Sequence, residues 1–549
     1  MIGKKIVGVS GDPLNQRYGA LFIALAQLYP VEFCEVSPRN FETVDALIVL
    51  DGNLAAGLEA AAAGVPSFVA MGGTGEPDRV ANAHVRFGSS RRIDVYLRGQ
   101  TMVASRKSEF HPLVLRDGDD LLASEDGCPA WIARPCGSGA CDLVAASPPA
   151  LREDEYLFQY LNARRFMELL PLMHFLRQRV TGIGWDGPAP RACFVFDDPS
   201  FYLRSYGFLN FRRLAEHATA HNYFVSVATI PLDTWWVNKD VAKTFQSFNP
   251  RLSVLVHGNN HTRHEMLSAR KQFNHQAVAA QAMHRMERLA RRRGISFLKV
   301  MEAPYGALAN SMFQNLLRLG YEGALCTTEL LLRHNPGETW PAAIGMDRSE
   351  MLGGGLPVIP RIKMTAGWRN DVLLAAFLRQ PIVVVGHHQD AADEMTTLKE
   401  FAETVNRLEG VTGSNLEGML RTNYKQRIEG AVLAVRMYSR RLNIRIPPGI
   451  QRLQIHRPWL EKGRTELLVI SVGNQAKSVE DAGSVTDELQ IPDGAGSVEV
   501  ESKVENPLDL AAVNLPSEVL WPVARKIMKE IRDRSTSVLP MAGWLRRRA

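Results

Sequence analysis

Short apolar runs recur from Arg191 to about residue 425, with segments of helical period between them. Seven of these runs predict strands: Ala192–Phe196, Phe224–Ile230, Leu252–Val256, Phe297–Ala303, Gly323–Thr327, Leu356–Ile362 and Ile382–Val385. The best-marked helix between them, Gln276–Arg293, stops at Gly294 behind a basic last turn, as the negative end of a helix favours. Strands alternating with helices form parallel sheets, and seven such units predict a distorted (β/α)7 barrel over 191–425, one unit short of the usual eight.

The flanking segments have other rhythms. Residues 1–150 alternate strands (Lys5–Val9, Val31–Val36, Ala46–Leu50, Pro66–Ala70) with small-residue helices (Tyr18–Leu28, Ala55–Ala63). They predict an α/β accessory domain on a parallel sheet, of flavodoxin or glutamine-amidotransferase type. Residues 151–190 read as a bridge, with helical periodicity over Glu153–Gln178 and a Gly/Pro-rich linker from Thr181 to Pro190. Residues 440–512 turn β-rich, around Arg452–Ile455, Glu466–Val472 and Ser497–Val504, and predict a small β-sandwich. Residues 513–549 hold a charged helix, Pro516–Arg534, and the basic tail Met541–Ala549. A frayed terminus is the expectation for that tail, with membrane-surface contact as the lesser alternative.

Composition removes several function classes. At 46% hydrophobic and 22% charged, the 549 residues are those of a folded chain rather than a disordered one. Against 58 acidic residues, 64 Lys and Arg leave only +6, too little and too scattered for nucleic acid. No window approaches the ~20 apolar residues of a membrane span. Met1–Lys5 runs straight into the strand Ile6–Ser10, without the apolar core of a secretion signal, and the six cysteines form no Cys-x-x-Cys pair. The expected location is cytoplasmic. Met71-Gly-Gly-Thr-Gly75 matches neither nucleotide-binding glycine pattern and reads as a turn.

In a parallel barrel, function gathers where strands end at their C-terminal side. The first strand ends in Asp197-Asp198, the third in His257-Gly-Asn-Asn-His261, the fourth in Glu302-Ala-Pro304-Tyr305-Gly, and the seventh in His387-His388-Gln-Asp390. Thr262 and Glu265 form a capping box, which predicts a helix starting just after His261 and leaves both histidines on a loop. His264, His275 and His284 fall on helical segments and read as solvated or packing residues. One carboxylate and two imidazoles are the donors of a catalytic metal site with open positions. A second carboxylate can take a proton from water and a histidine can protonate a leaving group, so the set suits hydrolysis of an amide or ester.

The order Asp-Asp, His-x3-His, Pro-Tyr-Gly, then apolar-x-His over 191–390 resembles the polysaccharide deacetylases (carbohydrate esterase family 4). The resemblance implies a distorted seven-stranded barrel, zinc (sometimes cobalt or nickel), and removal of an N-acetyl group from an amino sugar in a glycan or its precursor. It assigns Asp197 as general base, and Asp198, His257 and His261 as metal ligands. The Tyr305 N–H becomes an oxyanion donor, and His387, preferred by register over His388, becomes the general acid. Trp235 and Trp236, after the second strand, together with Glu302 and Pro304, count as substrate contacts, with core packing the alternative for the tryptophans.

Two departures stand out. Glu302 occupies the position where the family commonly has an arginine that orients the base, so Arg204 and Arg361 are candidates to compensate. The family's Asp-Trp motif has no clear match, and Asp390 is its candidate stand-in. The alternative readings are a degenerate barrel that binds glycans or scaffolds partners, and a glycosidase using Asp197 and Glu302. No heptad or repeat sets an oligomeric state.

Overall fold

Tight turns and helical crossovers lead to different sheets, and both kinds of connection occur in the N-terminal part. The computed structural model describes residues 3–10, 17–37, 41, 43–72, 80–107, 112–262, 265–267, 274–473, 475–481, 484–492, 494–517, 524 and 527–528. It divides into two units: Met1–Asp186 with Thr339–Asp347 and Thr365–Gln380, and Gly187–Glu338 with Arg348–Met364 and Pro381–Ala549. The accessory unit therefore takes in two segments, including the helix Trp368–Phe377, that lie between barrel strands in sequence and were expected within 191–425.

In the first unit, Val31–Glu35, Lys5–Ser10, Ala46–Val49, Ser67–Ala70 and Gly139–Val144 pair in parallel in that spatial order. This is the doubly wound order of flavodoxin-type sheets. The sheet continues through Cys128–Cys136, Asp120–Glu125, Val80–Phe87 and Thr101–Lys107, all antiparallel, so only part of the sheet is parallel as expected. The reason is the connections: Asp126-Gly127, with φ of 48° and 84°, makes a turn that can join only antiparallel neighbours. The helix expected over Glu153–Gln178 shrinks to Leu170–Arg179, preceded by the single turn Leu157–Tyr160. Pro171 sits in the first helical turn, where a missing N–H is harmless; inside a longer helix it would cost about 3 kcal/mol.

In the second unit the seven strands form as Arg191–Asp197, Val225–Thr229, Leu252–His257, Val300–Glu302, Gly323–Cys326, Leu356–Pro360 and Ile382–Gly386. The first six pair in parallel in sequence order, and the seventh lies on the other side of the first. The ring closes through the sixth. Leu356–Pro360 pairs with the fifth strand, whereas Ile362 and Lys363 pair with Val384 and Val385 of the seventh. The chain changes partners at Arg361. Cys193, Val195, Ala228, Leu255, Val300, Leu325, Ile359 and Val383 fill one interior, together with Leu416, Met419 and Leu420 of the helix Leu416–Arg421. Leu420 packs on Gly323, the first residue of its strand, so this helix plugs the N-terminal end and leaves the C-terminal mouth for chemistry.

Two four-stranded sheets follow in the same unit. Leu433, Val435, Leu453 and Ile455 of one share a core with Leu442, Ile444, Leu468, Val498 and Val500 of the other. This β-sandwich begins at Tyr424, earlier than the expected 440, because the polar strand Tyr424–Glu429 carries little apolar signal of its own. The stretch 516–534 lies mostly, and the tail 541–549 wholly, outside the described residues, as do 73–75 of the glycine turn and His264. Among the described residues no helix is long and apolar enough to cross a membrane.

Candidate active site

Parallel strands deliver their last residues to one mouth, and here they deliver acids and imidazoles. Asp197 and His257 end their strands, Asp198 follows at φ 82°, and His261 and Tyr305 hold φ of 54° and 59°. Left-handed conformations cost non-glycine residues on the order of 1–3 kcal/mol each and persist only where the surroundings impose them. Around His261 the means are visible. The buried Glu265 carboxylate accepts from the N–H groups of Asn259, Asn260 and His261 at 2.9, 3.1 and 2.8 Å. The Arg285 guanidinium donates to the side-chain oxygens of Asn259 and Asn260, both at 2.7 Å. Glu265 therefore ties down the loop, with the Thr262 hydroxyl donating to it, and 265–267 form a turn; the next described helix starts at His275, capped by Asn274. Gly258 is required at the loop's start: at φ 60°, a Cβ would lie 2.5 Å from Pro304.

His261 Nε2 lies 3.1 Å and His257 Nε2 3.5 Å from the same Asp198 Oδ1, and the donor atoms of the three all lie within 4.8 Å of one another. His257 Nδ1 is 3.0 Å from the Glu302 carbonyl, an acceptor only, so Nδ1 carries the proton and Nε2 faces the carboxylate. Two lone pairs facing each other at this range repel unless a positive charge, a proton or a cation, lies between them. Two imidazoles and a carboxylate fit a catalytic first-row divalent ion.

Asp197 is buried, with Oδ2 3.3 Å from Arg361 Nη1. The same Nη1 bonds Glu302 Oε1, and Glu302 Oε2 sits 2.6 Å from His257 Nδ1. Burial pushes the Arg361 pKa down, and neighbouring Asp197 opposes that shift. Arg361 thus separates two carboxylates that would otherwise repel. Arg204, the other candidate, pairs instead with Asp240 on the surface. Asp197, His257 and Glu302 form a second cluster of potential ligands, but the guanidinium already pairs with both of its carboxylates.

His387 lines a cavity of about 450 Å³ with Asp197, Asp198, His257, His261 and Tyr305. His387 is exposed, whereas His388 is buried against Tyr206 and Phe208, at ring distances of 5.3 and 5.8 Å. Asp390 accepts from the His387 main-chain N–H at 2.8 Å, and burial raises its own pKa. Its observed bond is therefore to the backbone of His387. Glu302 is 0% exposed and Pro304 is buried, so neither is placed as a substrate contact, and Glu302 does not suit a glycosidase's second carboxylate. Trp235 and Trp236 are 62% and 41% exposed, packed on Tyr202 at 5.8 and 6.2 Å, outside the cavity wall and outside the core. His275 bonds Ser311 and His284 the Leu510 carbonyl, both away from the cavity. Glu265 and Arg285 were missed as loop anchors. Arg361 had one signal, a lone charge inside an apolar run.

No family model and no curated protein matches the chain. Among solved structures it is similar to a putative polysaccharide deacetylase from Mycobacterium smegmatis, at 14% identity and a TM-score of 0.32, over 42% of this chain and 89% of that one. The carbohydrate esterase domain of a multidomain xylanase, from the hindgut metagenome of Trinervitermes trinervoides, has 14% identity and a TM-score of 0.27, over 43% and 94%. The catalytic domain of a peptidoglycan N-acetylglucosamine deacetylase from Eubacterium rectale has 10% identity and a TM-score of 0.23, over 42% and 91%.

Proposed function

We propose that this protein is a metal-dependent carbohydrate deacetylase that hydrolyses the N-acyl group of an amino sugar. One observation carries the reading: two imidazole nitrogens converge on the Asp198 carboxylate in a cavity that also contains Asp197 and His387. A divalent ion held by Asp198, His257 and His261, with zinc first and cobalt or nickel as alternatives, would supply Lewis acidity at the acyl carbonyl and at water.

The chain's own residues do the rest. Asp197 Oδ1 makes no hydrogen bond with the described residues and takes the proton of the attacking water. Arg361 holds Oδ2, which leaves Oδ1 for the water. The Tyr305 N–H donates to the oxyanion as it develops, on a backbone kept in its left-handed turn. His387 protonates the departing amine. Glu302 is a positioning residue: its main-chain carbonyl accepts from His257 Nδ1, and its carboxylate lies beside that ring and bonds Arg361. Arg361 brings to Asp197 a guanidinium of the kind that the family commonly places where this chain has Glu302.

Acetate release from a panel of N-acetylated sugars, by protein loaded with zinc, cobalt or nickel, tests the function. Release that stops on chelation and returns with metal is expected; metal binding without release from any sugar would put the glycan-binding alternative first. Glu302→Gln is expected to weaken metal affinity about 10–100-fold, read by competition with a chromogenic chelator. Unchanged affinity would mean that Glu302 serves Arg361 alone.

A further inference from the structure

We infer that the sugar carries an anionic group, a phosphate or a carboxylate, and that Lys363 receives it. The inference rests on the deacetylase reading and narrows its substrate. Arg361 and Lys363 stand two residues apart on the closing strand, so their side chains share a face, and both line the cavity. Their situations differ. Arg361 is 7% exposed and bonded to Asp197 and Glu302. Lys363 is exposed and makes no hydrogen bond or ion pair with the described residues.

Charge balance gives that difference its meaning. Of the three carboxylates at the mouth, Asp197 and Glu302 are paired with Arg361, and Asp198 faces His257 and His261. No carboxylate among these is left over for Lys363, so among the described residues its ammonium stands without a partner in the cavity wall. The acids nearest in sequence to other lining residues are engaged elsewhere: Asp390 with the His387 N–H, and Glu329 with Arg333. An unpartnered cation on a cavity wall favours a ligand of opposite charge, and the Gln389 amide lines the same cavity as a neutral donor.

Register places the anion on the substrate. Lys363 pairs with Val385, two residues before His387, so the ammonium belongs to the side of the cavity from which the leaving amine is protonated. The amine departs with the sugar. The negative group is therefore on the sugar and not on the acyl chain.

The test compares three substrates on metal-loaded protein: N-acetylglucosamine, its 6-phosphate, and the corresponding N-acetylated uronic acid. At least one anionic sugar is expected to exceed the neutral one by about 10–100-fold in kcat/KM, mainly through KM, with the margin shrinking as salt rises. The phosphate and carboxylate arms decide which anion is read. Lys363→Arg should keep the preference and Lys363→Met should abolish it. Calorimetric binding of the preferred anionic sugar to Asp197→Asn, with and without Lys363→Met, reads the same contact without turnover. Equal kcat/KM for neutral and anionic sugars in a wild type that releases acetate overturns the inference alone, as does a preference that survives Lys363→Met. A metal-loaded wild type that releases no acetate from any sugar overturns the deacetylase reading and this inference with it.

Discussion

Asp197→Asn, assayed on protein carrying its metal, is expected to slow acetate release by about 10²–10⁴-fold with metal content unchanged. The substitution keeps size and an oxygen that can still accept from Arg361, which lies 3.3 Å from Oδ2. It removes the basicity and the charge, and Glu302 remains as the partner of Arg361. Because Asp197 lies outside the triad of Asp198, His257 and His261, elemental analysis of the variant should match wild type. The buried links from Arg361 through Glu302 to His257 remain in place, so the variant is also expected to unfold at a similar temperature. A variant that retains metal and turns over at the wild-type rate would remove Asp197 from the role of base.

The double variant His257→Ala/His261→Ala is expected to contain no metal where the wild type carries near-stoichiometric zinc, cobalt or nickel, by elemental mass spectrometry. Two of three donors disappear, and one carboxylate does not hold a transition metal against water. The loop itself should survive, since Glu265 holds it through main-chain N–H groups that the substitutions leave intact. Circular dichroism checks that point. If wild type and variant were both metal-free after incubation with added metal, the hydrolase reading would lose its foundation.

The ion pairs that organise this site separate it from what a linear reading detects. Arg361 meets Glu302 across 59 residues and Asp197 across 164. Nothing in local periodicity pairs them; they meet because the sixth strand changes partners at Arg361 as the ring closes. The pair Thr262 and Glu265 shows the converse. Its spacing suits a helix cap, yet three main-chain N–H groups of a tightly turned loop were the stronger claim on the carboxylate.

The strands of the barrel were legible because a parallel strand is buried on both faces and reads as a nearly unbroken apolar run. The candidate residues were legible because such strands end at one mouth, so Asp197-Asp198, His257, His261 and His387 converge whatever the loop details. Hidden from the sequence were the antiparallel half of the first sheet, the short helix at Leu170–Arg179, the early start of the sandwich at Tyr424, and the burial of Glu302. Each depends on a turn, a packing surface or a charge partner distant in the chain. Local apolar pattern by itself determined the barrel strands and which residues stand at their ends; only the tertiary structure decided how the charges there are paired, because that pairing is made by closure of the sheet.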